Sequence, residues 1–336
     1  MKLPAEKIKK IAVFRALQLG DILCAIPALR ALRNAYPLAR ISYVGLPHTL
    51  SLIERFPAYF DDFIEFPGYP GLPEQVFDEE KFAGFIKMIK NRGYDLAIQM
   101  QGNGSIVNPL VKSFGAKYTA GFCEDPEEEN TLFLKYPDYG HEIRRHLALM
   151  EHLGIPASDT RLEFPIREAD TMAFQELNLP VEANHYVCIH PGSRGSWRQW
   201  PPLYFAAVAD FCAEQGFKVV ITGTKEELEL AQHIGGLMRH VPLICSGKTS
   251  LGAVAVLIKN SFGLIANCTG VSHIAAALET PSVIISMDGE PERWGPLNAT
   301  LHHTIDWTKK QDYNEVFKEV VSLFSDNKRF LTDSVT

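Results

Sequence analysis

The chain has 336 residues, 46% of them hydrophobic, and a formal net charge of −7. That length exceeds what one hydrophobic core usually serves, so two domains are expected, and the acidic balance argues against a general nucleic-acid binder, which carries a basic excess or stripe. The six cysteines, at 24, 123, 188, 212, 245 and 268, are widely spaced with no C-x-x-C pair and read as reduced core residues. With no signal-peptide pattern and no apolar run of membrane length, a cytoplasmic protein is expected, able to touch a membrane surface.

In chain order, residues 11–14 are a buried-strand run. After Gly20, residues 22–34 place Ile22, Ile26, Leu29 and Leu32 at helical spacing until Pro37 breaks the helix. Strands are predicted at 39–44, 63–66 and 96–100, with a helix at about 80–91. Residues 167–184 are polar, carry Pro180 and read as the linker. Beyond it, predicted strands at 186–190, 218–222, 262–266 and 282–286 alternate with helices at 202–215, 226–238, 251–259 and 272–278. This β-α-β rhythm predicts an α/β protein of two doubly wound domains, 1–170 and 171–312, with a ligand in the cleft at the strand C-terminal ends. The Pro/Gly-rich residues 67–80 are a candidate binding lid, the acidic run Glu127-Glu128-Glu129 reads as a solvated face, and residues 326–336 read as a frayed tail.

Two segments look like halves of one diphosphate-binding cleft. One runs from Tyr186 through His190-Pro191-Gly192-Ser193-Arg194-Gly195, and the other from Leu264 through Asn267-Cys268-Thr269-Gly270 to Ser272-His273. Both stand where a strand hands over to a helix, and a helix start offers unpartnered N–H groups and a partial positive charge to a phosphate. Arg194 and Arg198 bracket a glycine-bearing loop where a guanidinium fork can clamp phosphate oxygens; Arg198 is the preferred clamp. His273 shares a helix's first turn with glycine and two hydroxyl residues, which favours a phosphate donor over a core histidine. Glu227, just beyond Thr222-Gly223-Thr224, fits both a ribose acceptor and an ordinary first-turn glutamate. Asp21 likewise has two readings, a helix-capping carboxylate and a general base.

Three familiar motifs fail. In His141-Glu142-Ile143-Arg144-Arg145-His146 the second histidine arrives one residue late for a zinc-binding helix face, and Gly102-Asn103-Gly104 lacks the third glycine of a dinucleotide fingerprint. The sequence also contains no D-x-D, so the constellation reads as metal-free.

The ordered set of motifs resembles glycosyltransferase family 9, the ADP-heptose:lipopolysaccharide heptosyltransferase family. It comprises Leu19-Gly20-Asp21 through Arg30, His190-Pro191-Gly192, Trp200-Pro201, Thr222-Gly223 with Glu227, Gly247-Lys248-Thr249-Ser250-Leu251, Thr269-Gly270 with His273, and Trp294-Gly295-Pro296. The resemblance implies a GT-B fold, two Rossmann-like domains facing across a cleft, with the acceptor held by the first and the nucleotide sugar by the second. A final helix, here 313–325, is implied to cross back onto the first domain. The implied reaction is a metal-independent, inverting transfer with Asp21 as base. Ser193, Arg194, Arg198, Thr269, Gly270 and His273 would hold the donor diphosphate, and Glu227 and Thr249 the nucleoside. The implied partners are a nucleotide sugar, as substrate rather than cofactor, and a glycolipid acceptor at the inner membrane. Two departures stand out: Arg198 replaces the family's lysine, and Cys268 replaces the aspartate that faces the donor sugar. The second leaves open another donor sugar or a catalytically silent sugar-nucleotide-binding protein; a related transferase with a protein acceptor is a further alternative.

Overall fold

The computed structural model describes residues 3–126 and 131–332, so the acidic run and residues 333–336 of the expected tail lie outside the described residues. The chain divides into two compact units, Met1–Leu162 and Glu163–Thr336, rather than at 170/171.

The first unit runs β1 (Lys10–Phe14), α1 (Leu19–Ala35), β2 (Arg40–Gly45), α2 (Leu50–Ile53), β3 (Asp62–Glu65), α3 (Glu79–Arg92), β4 (Leu96–Gln99), α4 (Val107–Lys112), β5 (Tyr118–Cys123), β6 (Phe133–Lys135) and α5 (Glu142–His152). Its strands form one parallel sheet in the order β3-β2-β1-β4-β5-β6. Parallel strands covered on both faces need continuous apolar runs, and Ile11 to Phe14 is buried throughout. Phe14 meets Phe66 and Phe114 edge-on, at ring-centroid distances of 5.0 and 6.2 Å. Helix α3 is bounded by local chemistry: Asp78 accepts from the Lys81 N–H at 3.0 Å, and Gly93 closes it at φ +61°, where a side chain would be strained.

The second unit runs α6 (Glu168–Glu176), β7 (Tyr186–His190), α7 (Pro202–Glu214), β8 (Lys218–Ile221), α8 (Leu228–Leu237), β9 (Leu243–Ile244), α9 (Leu251–Lys259), β10 (Gly263–Asn267), α10 (Gly270–Ala277), β11 (Ser282–Ser286), α11 (Pro291–Trp294), β12 (His302–Asp306) and α12 (Tyr313–Thr332). The sheet order β12-β11-β10-β7-β8-β9 repeats that of the first unit, again all parallel. Trp200 packs edge-on against Phe205 and Trp307, at 5.1 and 5.6 Å, so the Trp-Pro pair serves the core.

The segment read as a linker contains α6, which packs on α9 and buries Asp170; that carboxylate accepts from the Arg167 N–H at 2.8 Å and starts the helix. The C-terminal helix was expected against the first domain. Its described side chains Val316, Val320, Leu323 and Phe324 instead lie in the core of the second unit, and the helix continues to Thr332 where fraying was expected. Among the described residues no helix is long and apolar enough to cross a membrane.

Candidate active site

In each sheet the connections reverse direction at one place, between β1 and β4 in the first unit and between β7 and β10 in the second. Loops leaving adjacent strands diverge there, opening a crevice at the strand C-terminal ends. Asp21 follows the first of these strands, and Ser193, Arg194, Arg198, Cys268, Thr269, Gly270 and His273 lie on the loops and helix start after β7 and β10.

At the first, Asp21 occupies the opening turn of α1. Its Oδ2 accepts from the Gln18 N–H at 3.2 Å, so the capping reading is realised. The side chain is still 25% exposed, and its Oδ1 lies 3.9 Å from Nη2 of Arg15, which is 1% exposed. Arg15 also donates from Nε to the Asp21 carbonyl at 2.8 Å and from Nη1 to the Met100 carbonyl. Behind it, Glu142 Oε1 lies 3.4 Å from Arg15 Nη2, Glu142 Oε2 lies 3.4 Å from Arg145 Nη1, and His146 Nε2 lies 3.3 Å from Glu142 Oε1. A buried ion pair is tolerated only when such partners surround it. Burial first, and then the neighbouring Arg15, push His146 down to about 4, so the ring is neutral near pH 7. The motif rejected as a zinc site thus has a different use: His141 caps α5 by accepting from the Ile143 N–H, and Glu142 bridges two arginines.

At the second, the loop after β7 and the turn after β10 are tied by Asn267. Its fully buried amide donates to the Pro191 carbonyl at 2.6 Å and accepts from the Trp200 N–H at 2.9 Å. One side chain therefore fixes both predicted segments. Ser193 Oγ and Thr269 Oγ1 are both buried with no hydrogen-bond partner among the described residues. An unpaired buried hydroxyl costs about 1–3 kcal/mol, so two of them beside a helix start mark a place that an anion's oxygens would complete. Thr269 is the N-cap of α10, and Gly270 opens that helix without a side chain in the way of its N–H groups. His273 is buried one turn in, 6.5 Å from the Trp294 ring centroid. Arg194 is exposed, whereas Arg198 is half-buried, pairs with Asp288 and lies over the Trp197 ring.

The nucleoside candidates stand on neighbouring loops. Glu227 Oε2 accepts from the Thr224 N–H at 2.7 Å, so the turn-capping reading holds, and the carboxylate presses on Gly192 where any Cβ would collide with it. A side chain at residue 192 would displace the Glu227 carboxylate. The Gly247 N–H donates to the Gly223 carbonyl at 3.0 Å, bringing the loop of half-buried Thr249 alongside. His190 Nδ1 pairs with Thr222 Oγ1 at 2.9 Å, and burial holds its pKa below the usual range. Cys268 is buried; burial raises its thiol to about 12, with Asp288 pushing the same way and Arg198 opposing. The residues singled out from sequence in the second unit are therefore clustered. Asn267, Asp288, Arg15 and Glu142 join the site only in the structure, although a charge at Arg15 interrupting an apolar strand run is a usable signal in the sequence.

In the first unit the Pro/Gly-rich residues 67–80 help line a cavity of about 440 Å³ with Pro47, Glu65 and Lys81. It opens beside the C-terminal ends of β2 and β3, away from the β1/β4 reversal point.

Residues 82–320 match glycosyltransferase family 9 (heptosyltransferase). The chain is 23% identical over 308 residues to the lipopolysaccharide core heptosyltransferase OpsX of Haemophilus influenzae, covering 89% of this chain and 84% of that protein. Among solved structures it is similar to a glycosyl transferase family 9 protein from Veillonella parvula, with TM-score 0.77, 21% identity, and coverage of 95% of this chain and 91% of the other. It is also similar to the E. coli ADP-heptose lps heptosyltransferase II, with TM-score 0.75, 19% identity, and coverage of 96% and 100%. These likenesses show the GT-B fold, and the family match covers most of the chain. This chain belongs to glycosyltransferase family 9, the heptosyltransferase family, and is a glycosyltransferase.

Proposed function

We propose that the protein transfers a sugar, heptose by its family, from a nucleotide diphosphate to a hydroxyl of a lipopolysaccharide core or related envelope glycolipid, with inversion and without a metal. ADP-heptose is the favoured donor, because the similar E. coli structure is of an ADP-heptose enzyme. The observation that carries this reading is the pair of buried, unpartnered hydroxyls, Ser193 Oγ and Thr269 Oγ1, on the two loops that leave the reversal point of the second sheet. The reaction would run on the cytoplasmic side of the membrane, with the glycolipid headgroup presented to the first unit.

In the proposed reaction the acceptor oxygen attacks the anomeric carbon on the face opposite the diphosphate. The bond to the diphosphate breaks with its electron pair leaving on phosphate oxygen, and the acceptor proton passes to the Asp21 carboxylate. Negative charge then grows on the leaving group, where Arg198, His273 and the N–H groups at Ser193 and Gly270 offset it in a pre-organised setting. The absence of D-x-D from the sequence supports a metal-independent scheme, in which cationic side chains and a helix start do what a divalent ion does elsewhere.

The test is transfer from ADP-heptose to a heptose-deficient lipopolysaccharide core in the presence of excess chelator. Product formation with inverted anomeric configuration by NMR is expected. Activity lost in chelator and restored by Mg²⁺, or a retained configuration, would contradict the mechanism. Failure with ADP-heptose but turnover of another nucleotide sugar would correct the donor.

A further inference from the structure

Asp288 lies just beyond the end of β11, and β11 neighbours β10, whose end carries Cys268, Thr269 and Gly270. The Cys268 N–H donates to the Ile285 carbonyl at 2.8 Å, so the two loops leave the sheet side by side. The carboxylate is fixed on several sides. Ser286 Oγ donates to Oδ1 at 2.8 Å, the Glu290 N–H donates to Oδ1 at 3.2 Å, and Arg198 Nη2 pairs with Oδ2. Gly289, at φ +73°, makes the turn that lets the chain return for the second of these bonds. The side chain is 9% exposed, against 29% for Arg198.

Two facts need an explanation. First, the guanidinium assigned to the diphosphate already has an anion beside it. A carboxylate there repels a diphosphate and weakens the clamp, so as a counter-ion alone it works against donor binding. Second, the side chain at the end of β10 is a buried thiol, a weak partner for sugar hydroxyls. A carboxylate has about four lone-pair sites, of which three are used by the donors above, so Asp288 retains capacity for another donor. The group bonded directly to a diphosphate is the sugar ring, so a carboxylate next to the diphosphate clamp is placed for sugar hydroxyls.

We infer that Asp288 is the donor-sugar residue of this site: its carboxylate accepts hydroxyls of the transferred sugar beside Cys268, and it makes the protein favour the intact nucleotide sugar over the bare nucleoside diphosphate. This rests on the proposed donor reading and goes beyond it by naming the group that reads the sugar. The two roles of Asp288 give opposite signs for two ligands. Removing its charge relieves repulsion on the diphosphate, whereas removing its acceptor oxygens takes a charge-assisted hydrogen bond from the sugar.

Calorimetry with ADP and with ADP-heptose, on the wild-type protein, Asp288→Asn and Asp288→Ala, separates these effects. ADP should bind both variants as tightly as wild type or up to several-fold more tightly, which also reports that the site is folded. ADP-heptose should weaken by about tenfold or more, so that the wild-type preference for it over ADP collapses. Variants that keep the preference, or that lose both ligands in parallel because Asp288 only orients Arg198, would overturn the inference. So would a wild-type protein that binds ADP without favouring ADP-heptose. Wild-type protein that binds neither ligand would instead sink the donor reading, and this inference with it.

Discussion

The two units share a strand order and a reversal point, yet what stands at that point differs in kind. In the first unit a strand ends in the buried guanidinium of Arg15, set between the part-exposed carboxylate of Asp21 and the buried carboxylate of Glu142. In the second, two strands end in glycine and hydroxyl residues around the start of α10, with Arg198 at the side. The first place holds a part-exposed carboxylate in a fixed direction; the second leaves two buried hydroxyls, Ser193 Oγ and Thr269 Oγ1, without a partner among the described residues. The same scaffold thus carries different loops, and the function has to be read from them rather than from the sheet order.

This contrast can be broken first at Asp21. Asparagine keeps the oxygen that accepts from the Gln18 N–H, so Asp21→Asn preserves the cap and removes the proposed base. Turnover should fall on the order of 10²-fold or more, while calorimetric ADP affinity stays unchanged. Arg198→Ala, on the other side of the comparison, should weaken ADP binding by roughly 1.5–3 kcal/mol, about ten- to a hundredfold. Unchanged nucleotide affinity would place Arg198 outside the diphosphate site.

The next substitution sharpens the second unit's account. Cys268→Asp adds a carboxylate beside Asp288 in a buried position, and two like charges there should lower donor affinity by roughly 1–2 kcal/mol. In an Asp288→Asn background the new carboxylate has no rival, so the same change should recover donor binding. Donor kinetics indifferent to residue 268 in both backgrounds would mean that this position does not face the sugar.

The smallest effect at neutral pH belongs to His146. Its folded pKa of about 4 lies below the ordinary 6.5, so between those values the unfolded chain takes up a proton that the folded one does not. Stability therefore falls as pH drops through that window, by on the order of 2 kcal/mol at pH 5. His146→Phe, which suits the apolar contact with Phe122, should remove that part of the acid sensitivity while leaving Tm at pH 8 little changed. Denaturant midpoints of the two proteins that shift equally between pH 8 and pH 5 would contradict the assignment.

What could be read from the sequence follows from the range of each interaction. The strand-turn-helix motifs at Gly20-Asp21, Pro191-Gly192-Ser193 and Thr269-Gly270 were legible, because a small residue at a strand end states its own reason. Glu227 was legible only as an alternative, since its capping bond to Thr224 and its place against Gly192 use the same carboxylate. Asp288 was not legible, because its partner Arg198 is 90 residues away in the chain. Glu142 was hidden for the same reason, 127 residues from Arg15. The short strands β6 and β9, of three and two residues, carry too little periodicity to be seen. α6 reads as linker because its polar residues and single capping aspartate look like loop until α9 supplies the surface it packs on.

The proposed base and the proposed nucleotide site stand on separate units, so each should fail without the other. ADP affinity by calorimetry and sugar transfer by product detection, measured side by side on Asp21→Asn and Arg198→Ala, separate the two. The first variant is expected to keep wild-type ADP affinity and lose transfer, and the second to lose both. Near-normal transfer by Asp21→Asn, or a loss of ADP affinity in that variant comparable to that of Arg198→Ala, would contradict that separation.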